Sequence, residues 1–244
     1  MARSLSDVAS VRVQVKGLQR PTRHLPVHAH GPEWAVRLVL IRHAEPEANI
    51  AGVVAGHKGC TGLTARGRAQ AEALAVRLRN EAEHFDVLYS SVLPRAVETA
   101  EIIAAALDLT PVRKDCDLCE LHPGECDGMS WDEQVRRYGP GDTRDPDQPM
   151  SPGGESVRSF DLRVRDTLRR LIELHAGESV AVVTHGGFII VSMLALLDAG
   201  GLADERGFVL APGYTSLTEW DRADDSQTWA LRRYNDTGHL FFLP

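Results

Sequence analysis

The stretch VRLVLIRHAEPEAN, residues 36–49, indicates the fold class and raises the first functional question. Its first six residues form a continuous apolar run of strand length, which is typical of a parallel strand buried on both faces. The run ends in Arg42 and His43, followed by two carboxylates and an asparagine. Such an end is either a polar turn at the surface or an anion site that contains a nucleophile.

Helical and strand-like segments alternate after this first strand. The segment LTARGRAQAEALAVRLRN places Ala71, Leu74, Ala75 and Leu78 on one helical face, and Thr64 is a natural N-cap. Further apolar strands are predicted at FDVLYSS and SVAVVT, and the last strands at TSLTEW and TWALRRY. This alternation predicts an α/β fold, namely a single three-layer α/β/α domain around a mostly parallel central sheet.

The domain is expected to span residues 35–244. Residues 1–34 show weak periodicity, three prolines and scattered basic residues, and we expect them to form a flexible N-terminal extension. Residues 139–155 are rich in Gly, Pro and Asp and predict a long loop, which we interpret as a lid that selects the substrate.

Composition and charge exclude several classes of protein. The formal net charge is −7, which argues against a nucleic-acid partner, although local arginines still allow an anionic small molecule. No apolar run approaches the length of a membrane span, and the N-terminus lacks an apolar signal core. We therefore expect a cytoplasmic protein without a membrane partner. The oligomeric state cannot be read from the sequence, and a homodimer is one of the open states.

Three of the four cysteines lie close together, at Cys116, Cys119 and Cys126, with His122 between them. Zinc modules usually supply two clean pairs of ligands, whereas this loop has one Cys-X2-Cys pair, a lone cysteine and one histidine. We therefore favour plain reduced cysteines over structural zinc, in keeping with a reducing compartment.

Reactive side chains follow three of the predicted strands. Arg42 and His43 end the first strand, Ser90 ends the second shortly before Arg95, and His185 ends the strand SVAVVT just ahead of two glycines. Ligands of open α/β sheets bind at the carboxyl ends of the strands. Two arginines suit a phosphate, and the glycines permit close approach of the backbone to a ligand. An acid from the loop DLCELHPGECDGMSWDE could join them, but spacing alone leaves Glu120 and Glu125 equally open.

Five stretches of the sequence, in the same order along the chain, resemble motifs of the histidine phosphatase superfamily. The resemblance is to the branch that includes cofactor-dependent phosphoglycerate mutases and many small-molecule phosphatases. The resemblance covers about residues 36–240. In the loop block, glycines four and eight positions after the acid select Glu120 over Glu125. The blocks are LIRHAEPEAN, GLTARGRAQAEALA, YSSVLPRAVETAEIIA, LCELHPGECDG and VAVVTHGGFI.

The resemblance implies a role for each matching residue. His43 would be the nucleophile that takes the phosphoryl group onto a ring nitrogen, and Glu120 would protonate the leaving oxygen and then activate water. Arg42, Arg95 and His185 would hold the phosphate oxygens, with further hydrogen bonds from Asn49 and from the backbone at Gly186. No metal or other cofactor is expected, because the arginines neutralise the charge.

The resemblance favours a metal-independent phosphatase for small phosphomonoesters, and a phosphoglycerate mutase-type phosphotransferase is the alternative. Mutases resemble this branch but carry a longer, basic insertion between the acid and the second histidine, whereas Glu120 and His185 lie only 65 positions apart. A non-catalytic phosphate-binding protein is a third reading. It is disfavoured because His43, His185 and Glu120 are all present.

Overall fold

The computed structural model describes residues 34–139, 145–202, 208–223, 228–241 and 243. The expected flexible extension lies outside these ranges except for Trp34, where the first strand begins. Residues 140–144 of the predicted loop also lie outside the described ranges. The rest of that loop is described from Asp145 onward.

A six-stranded sheet forms the centre of the domain, with strand order β3-β2-β4-β1-β5-β6. Strands β1 to β4 run parallel to one another, and the C-terminal hairpin adds β5 antiparallel to β1 and β6 antiparallel to β5. The mostly parallel sheet predicted from the sequence is thus confirmed. The strands are β1 (Trp34–Arg42), β2 (Val87–Ser90), β3 (Arg113–Lys114), β4 (Ser179–Thr184), β5 (Leu217–Ala223) and β6 (Trp229–Asp236).

Helices cover both faces of this sheet and complete the three layers. Alternate residues of each strand point to opposite faces, so Val39 and Ile41 pack against α2 and α3, whereas Leu38 and Leu40 pack against α5 and α6. Each face therefore has its own apolar core. The helices are α1 (Glu47–Ile50), α2 (Ala65–Asn80), α3 (Pro94–Leu107), α4 (Trp131–Tyr138), α5 (Val157–Leu174) and α6 (Gly186–Leu196).

Local sequence signals explain the helix positions. The Thr64 side chain accepts a hydrogen bond from the Gly67 backbone, as expected for the N-cap of α2, and the apolar face predicted for this helix is buried. Ser156 caps α5 in the same way. No helix within the described ranges is both long enough and apolar enough to cross a lipid bilayer.

Strand register brings the reactive residues to one edge. Arg42 of β1 lies beside Thr184 of β4, and Ser90 of β2 lies beside Val183. The chain therefore leaves three neighbouring parallel strands at the same level. His43, Ser91 and His185 are the first residues after these strands, and they share the carboxyl edge of the sheet.

Candidate active site

A cavity of about 290 Å³ opens at this carboxyl edge. Five of the predicted site residues line it, and they supply its charged and polar groups. The other lining side chains are apolar. The polar lining consists of Arg42, His43, Asn49, Arg95 and Glu120, and the apolar lining of Val53, Val54, Ala55, Leu121, Pro123, Trp131 and Met150.

His43 is buried at the base of the cavity, and its two ring nitrogens have different partners. Nδ1 lies 2.7 Å from the Ala44 carbonyl oxygen, which can only accept, so Nδ1 carries the proton. Nε2 accepts a hydrogen bond from Nε of Arg95 at 3.1 Å. Because arginine can only donate, Nε2 presents a lone pair, as a nucleophile requires.

Electrostatics keep this ring neutral. Burial, followed by the nearby charges of Arg95 and Arg42, holds the pKa of His43 well below its usual value of 6.5. The imidazole is therefore unprotonated at neutral pH. Its lone pair stays available between two cations that would hold a phosphate.

His185 lies beside the nucleophile, with the two ring centroids 5.0 Å apart. It is fully buried, and its Nε2 shares a 2.7 Å hydrogen bond with the Ser91 hydroxyl. Its Nδ1 is buried and has no partner among the described residues. Burial and the charge of Arg95 hold the pKa of His185 well below 6.5. The unpartnered Nδ1 is a polar atom that a bound phosphate oxygen could satisfy.

Arg42 is fixed by Tyr214, a residue that the sequence analysis did not single out. The guanidinium lies 4.3 Å from the centroid of the Tyr214 ring and donates to the Pro212 carbonyl oxygen at 2.6 Å. The Tyr214 hydroxyl in turn accepts a hydrogen bond from Asn49 at 2.7 Å. Asn49 therefore lines the cavity, and in the free site its amide holds Tyr214.

Glu120 reaches the same cavity from the loop after β3. One carboxylate oxygen accepts a hydrogen bond from the Gly187 backbone at 2.9 Å, and the other accepts from Leu121 at 3.2 Å. Glu125, which spacing alone left open, is exposed and bonds Tyr138 instead. The structure thus brings Glu120, and not Glu125, together with the two histidines.

Comparison with known proteins shows the family to which the chain belongs. Residues 38–237 match the model of the histidine phosphatase superfamily (branch 1). The chain belongs to this superfamily. Phosphoglycerate mutase-like protein 4 of Arabidopsis thaliana is 36% identical over 207 residues, covering 83% of this chain and 86% of that relative. The metal-independent phosphoserine phosphatase of Arabidopsis thaliana is 32% identical, covering 83% of this chain and 82% of that relative.

Solved structures of the superfamily share the fold. Bacillus stearothermophilus YhfR superposes with a TM-score of 0.71 at 27% identity, covering 84% of this chain and 100% of that one. Phosphoserine phosphatase from Entamoeba histolytica, in complex with 3-phosphoglyceric acid, superposes with a TM-score of 0.66 at 28% identity. It covers 84% of this chain and 99% of that one.

Three contacts of this histidine phosphatase were not anticipated. Ser91, rather than the predicted Ser90, touches His185, because the Ser90 hydroxyl is turned to the Ser91 carbonyl. Tyr214 comes from the segment before β5, and the sequence of that segment has no motif that indicates a functional residue. Gly187, rather than Gly186, has the tight contact, since a Cβ at Gly187 would overlap the Glu120 carboxylate. The double glycine of the second-histidine block was the signal that could have indicated Gly187.

Changing Gly187 to alanine is expected to lower turnover of a poorly activated substrate by about 100-fold, the usual cost of displacing a catalytic group by 1 Å. The added methyl would overlap the flexible end of Glu120, so the fold should survive. Gly186→Ala is the matched control, because it keeps the backbone N–H expected to bind phosphate and its Cβ would lie 3.6 Å from Arg42 Nε, an ordinary contact. Equal losses of kcat in the two variants would contradict this account.

Acid is expected to destabilise the fold from about pH 6.5 downward, before most carboxylates titrate. The folded-state pKa of His43 and His185 lies well below 6.5, and burial lowers that of His239 to about 4. The unfolded chain therefore binds more protons in this window. Each such histidine contributes up to about 1.4 kcal/mol per pH unit to the loss. Urea unfolding from about pH 7 to about pH 5 measures the slope, and His185→Gln should reduce it by about one proton. An unchanged slope would show that His185 titrates normally.

Proposed function

We propose that the chain is a phosphatase that hydrolyses small phosphomonoesters through a phosphohistidine, with no metal ion in the chemical step. The observation that carries this proposal is the neutral His43 ring, whose Nε2 lone pair faces a cavity that holds Arg42, Arg95 and Glu120. The names of the relatives support hydrolysis, since one is a metal-independent phosphoserine phosphatase. Phosphate-bearing small molecules are therefore the expected partners.

The first half-reaction transfers the phosphoryl group to the protein. Arg95 donates to His43 in the free site. A phosphate oxygen would take over that donor and leave Nε2 free to attack phosphorus. The bond to the leaving oxygen breaks as the N–P bond forms, and Glu120 supplies the proton to that oxygen. Arg42, Arg95 and His185 stabilise the charge on the transferring group.

The second half-reaction returns the site to its starting state. Water attacks the phosphorus of phosphohistidine, Glu120 accepts the proton of the water, and the His43 Nε2 lone pair is restored. Inorganic phosphate then leaves. The arginines remain charged throughout, so they neutralise the phosphate in place of a metal.

A mutase-type phosphotransferase is the alternative, because several relatives are named 2,3-bisphosphoglycerate-dependent phosphoglycerate mutases. The residues that line the cavity favour hydrolysis of a phosphomonoester of a different class from the phosphoglycerates. Among the described lining residues, Arg42 and Arg95 are the cations, and both are needed by the transferred phosphate. The remainder of the substrate would meet Leu121, Trp131 and Met150. This wall favours a leaving group with an uncharged, partly apolar face.

Met150 also supports a role for the predicted loop in substrate selection. It lies in the described part of segment 139–155 and contributes to the cavity wall. Its neighbour Ser151 is buried and donates to the Pro123 carbonyl oxygen at 2.6 Å. The segment is thus tied to the loop that carries Glu120. The lid proposal rests on this contact.

Hydrolysis of an aryl phosphate, with EDTA added at the start of the assay, tests the proposed function. The initial rate should be unchanged by the chelator, because no step uses a metal. Rapid acid-free denaturation during turnover of ³²P-labelled substrate should trap a label on His43 that is labile to acid and stable to base. A rate that collapses on chelation and returns with Mg²⁺ would indicate metal chemistry. Labelling without hydrolysis, together with exchange between phosphoglycerate isomers, would indicate the mutase.

Cellular location and assembly are further proposals. All four cysteines are free thiols, which supports a reducing compartment such as the cytoplasm. The net charge of −7 supports the absence of a nucleic-acid partner. A homodimer stays an expectation that a measurement of mass in solution would test.

A further inference from the structure

Two thiols and two imidazoles meet beside the active site. His57, Cys116, Cys119 and His122 each offer one ligand atom, and all four atoms lie within 4.8 Å of one another. Cys116 Sγ lies 3.7 Å from Cys119 Sγ, 3.7 Å from His57 Nε2 and 3.8 Å from His122 Nε2. These side chains take no part in the phosphoryl transfer described above.

The spacing around Cys116 fits a tetrahedral zinc ion. With Zn–S bonds of about 2.3 Å and Zn–N bonds of about 2.1 Å, ligand atoms lie about 3.8 Å apart for two sulfurs and about 3.6 Å apart for sulfur and nitrogen. The distances from Cys116 Sγ to the other three ligand atoms agree with these values to about 0.2 Å. We propose that His57, Cys116, Cys119 and His122 form a structural zinc site.

Neighbouring side chains hold the proposed ligand His122 in an orientation that suits zinc binding. His122 turns Nε2 toward Cys116 while its Nδ1 lies 3.6 Å from a Glu155 carboxylate oxygen. Histidines that bind metals commonly donate their second ring N–H to a carboxylate. Glu155 itself is held by Arg163 at 2.7 Å and 2.8 Å, so its position does not depend on a metal.

The segment that carries His57 is held independently. The Asp127 carboxylate accepts hydrogen bonds from the backbone N–H groups of Gly56, Lys58 and Gly59, at 2.8 to 2.9 Å. These bonds fix the turn on both sides of His57. The site is therefore preorganised from both of its segments, and an ion can enter from the exposed His57 and Cys116 side.

The tertiary structure changes the identity of the fourth ligand that the sequence suggested. The loop alone offered Cys116, Cys119 and His122, with Cys126 as the apparent fourth ligand. Cys126 instead donates its thiol to the Pro123 carbonyl oxygen at 3.1 Å. His57, 59 positions before Cys116, completes the set. The preference for plain reduced cysteines rested on the lack of a second clean pair of ligands within one loop, whereas His57 joins His122 from a distant part of the chain.

Zinc at this site would fix the loop of the proposed general acid. Cys119 directly precedes Glu120, and His122 follows two positions later. Four protein ligands leave no open position, so the ion would have a structural role and the phosphoryl transfer would remain free of metal. This consequence rests on the proposed function, whereas zinc binding itself does not.

The test is the zinc content of the untagged protein, purified under reducing conditions and dialysed. One zinc per chain is expected by elemental mass spectrometry. Replacement by Co²⁺ should produce the absorption bands of a tetrahedral thiolate-bound ion. Cys116→Ser and His57→Gln should weaken zinc binding by at least about 100-fold, since loss of a partner that merely orients a ligand already costs about 10- to 100-fold.

Matched variants separate this site from other thiols and histidines. Cys126→Ser and His84→Gln change a cysteine of the same loop and an exposed histidine outside the cluster, and both should keep one zinc per chain. Less than about 0.1 zinc per chain in the reduced wild type would overturn the site. Equal loss of zinc in His57→Gln and His84→Gln would also overturn it, as would a Cys116–Cys119 disulfide in place of zinc. His43→Ala should bind zinc like the wild type, so a failure of catalysis and a failure of the zinc site are distinguishable.

Discussion

Replacement of His43 by alanine is expected to lower kcat/KM for an aryl phosphate by roughly 10³-fold or more, the scale of loss when a covalent nucleophile is removed. Nε2 of His43 is the atom on which the phosphoryl group would be carried, and no other described side chain of the cavity is placed to substitute for it. His185 bonds Ser91 through Nε2 at 2.7 Å and would bind a phosphate oxygen through Nδ1, and the arginines cannot act as nucleophiles. The trapped label should vanish together with turnover.

His175 provides a matched control for that variant. It is also a buried histidine, but its ring bonds the Tyr89 hydroxyl and Glu178, and it does not line the cavity. His175→Gln should therefore cost stability while kcat/KM stays within about threefold of the wild type. Turnover by folded His43→Ala within tenfold of the wild type would exclude His43 as the nucleophile.

Replacement of Glu120 by glutamine is expected to have an effect that depends on the leaving group. An alkyl phosphate should lose about 10²- to 10⁴-fold in kcat/KM, because its alkoxide needs a proton as it departs. An activated aryl phosphate should lose about tenfold or less in the first half-reaction, since its phenolate leaves unaided. Glutamine keeps an oxygen that can accept from Gly187, so the loop should hold its position.

Glu125→Gln is the control for the acid, because spacing in the sequence did not separate the two glutamates. Its carboxylate is exposed and accepts a hydrogen bond from the Tyr138 hydroxyl at 3.1 Å. Both substrates should be turned over by this variant at nearly the wild-type rate. Equal losses on the two substrates in Glu120→Gln would contradict an acid role and indicate a general disturbance of the site.

Much of the fold followed from periodicity. The α2 face of Ala71, Leu74, Ala75 and Leu78 is buried as predicted, and SVAVVT matches β4 residue for residue. These predictions hold because burial of an apolar face is a local pattern with a known period. The two-residue strand β3 and the helix α4 were not predicted. Strand β3 is exposed and too short to show alternation, and the packing of neighbouring loops determines where it pairs.

The order of strands and helices and the reactive residues at the strand ends could be read from the amino-acid sequence, and the superfamily resemblance added the choice of Glu120. The folded structure was needed for the tautomer of His43, the contact of Ser91 with His185, the stacking of Tyr214 on Arg42 and the position of His57 in the cysteine cluster. Apart from the contact of His43 Nδ1 with the adjacent Ala44 carbonyl, those features join side chains 52 to 172 positions apart, and the Asn49–Tyr214 bond alone spans 165. Sheet order and loop packing set such distances. Local propensity carries no information about them, because it acts over only a few residues of the chain.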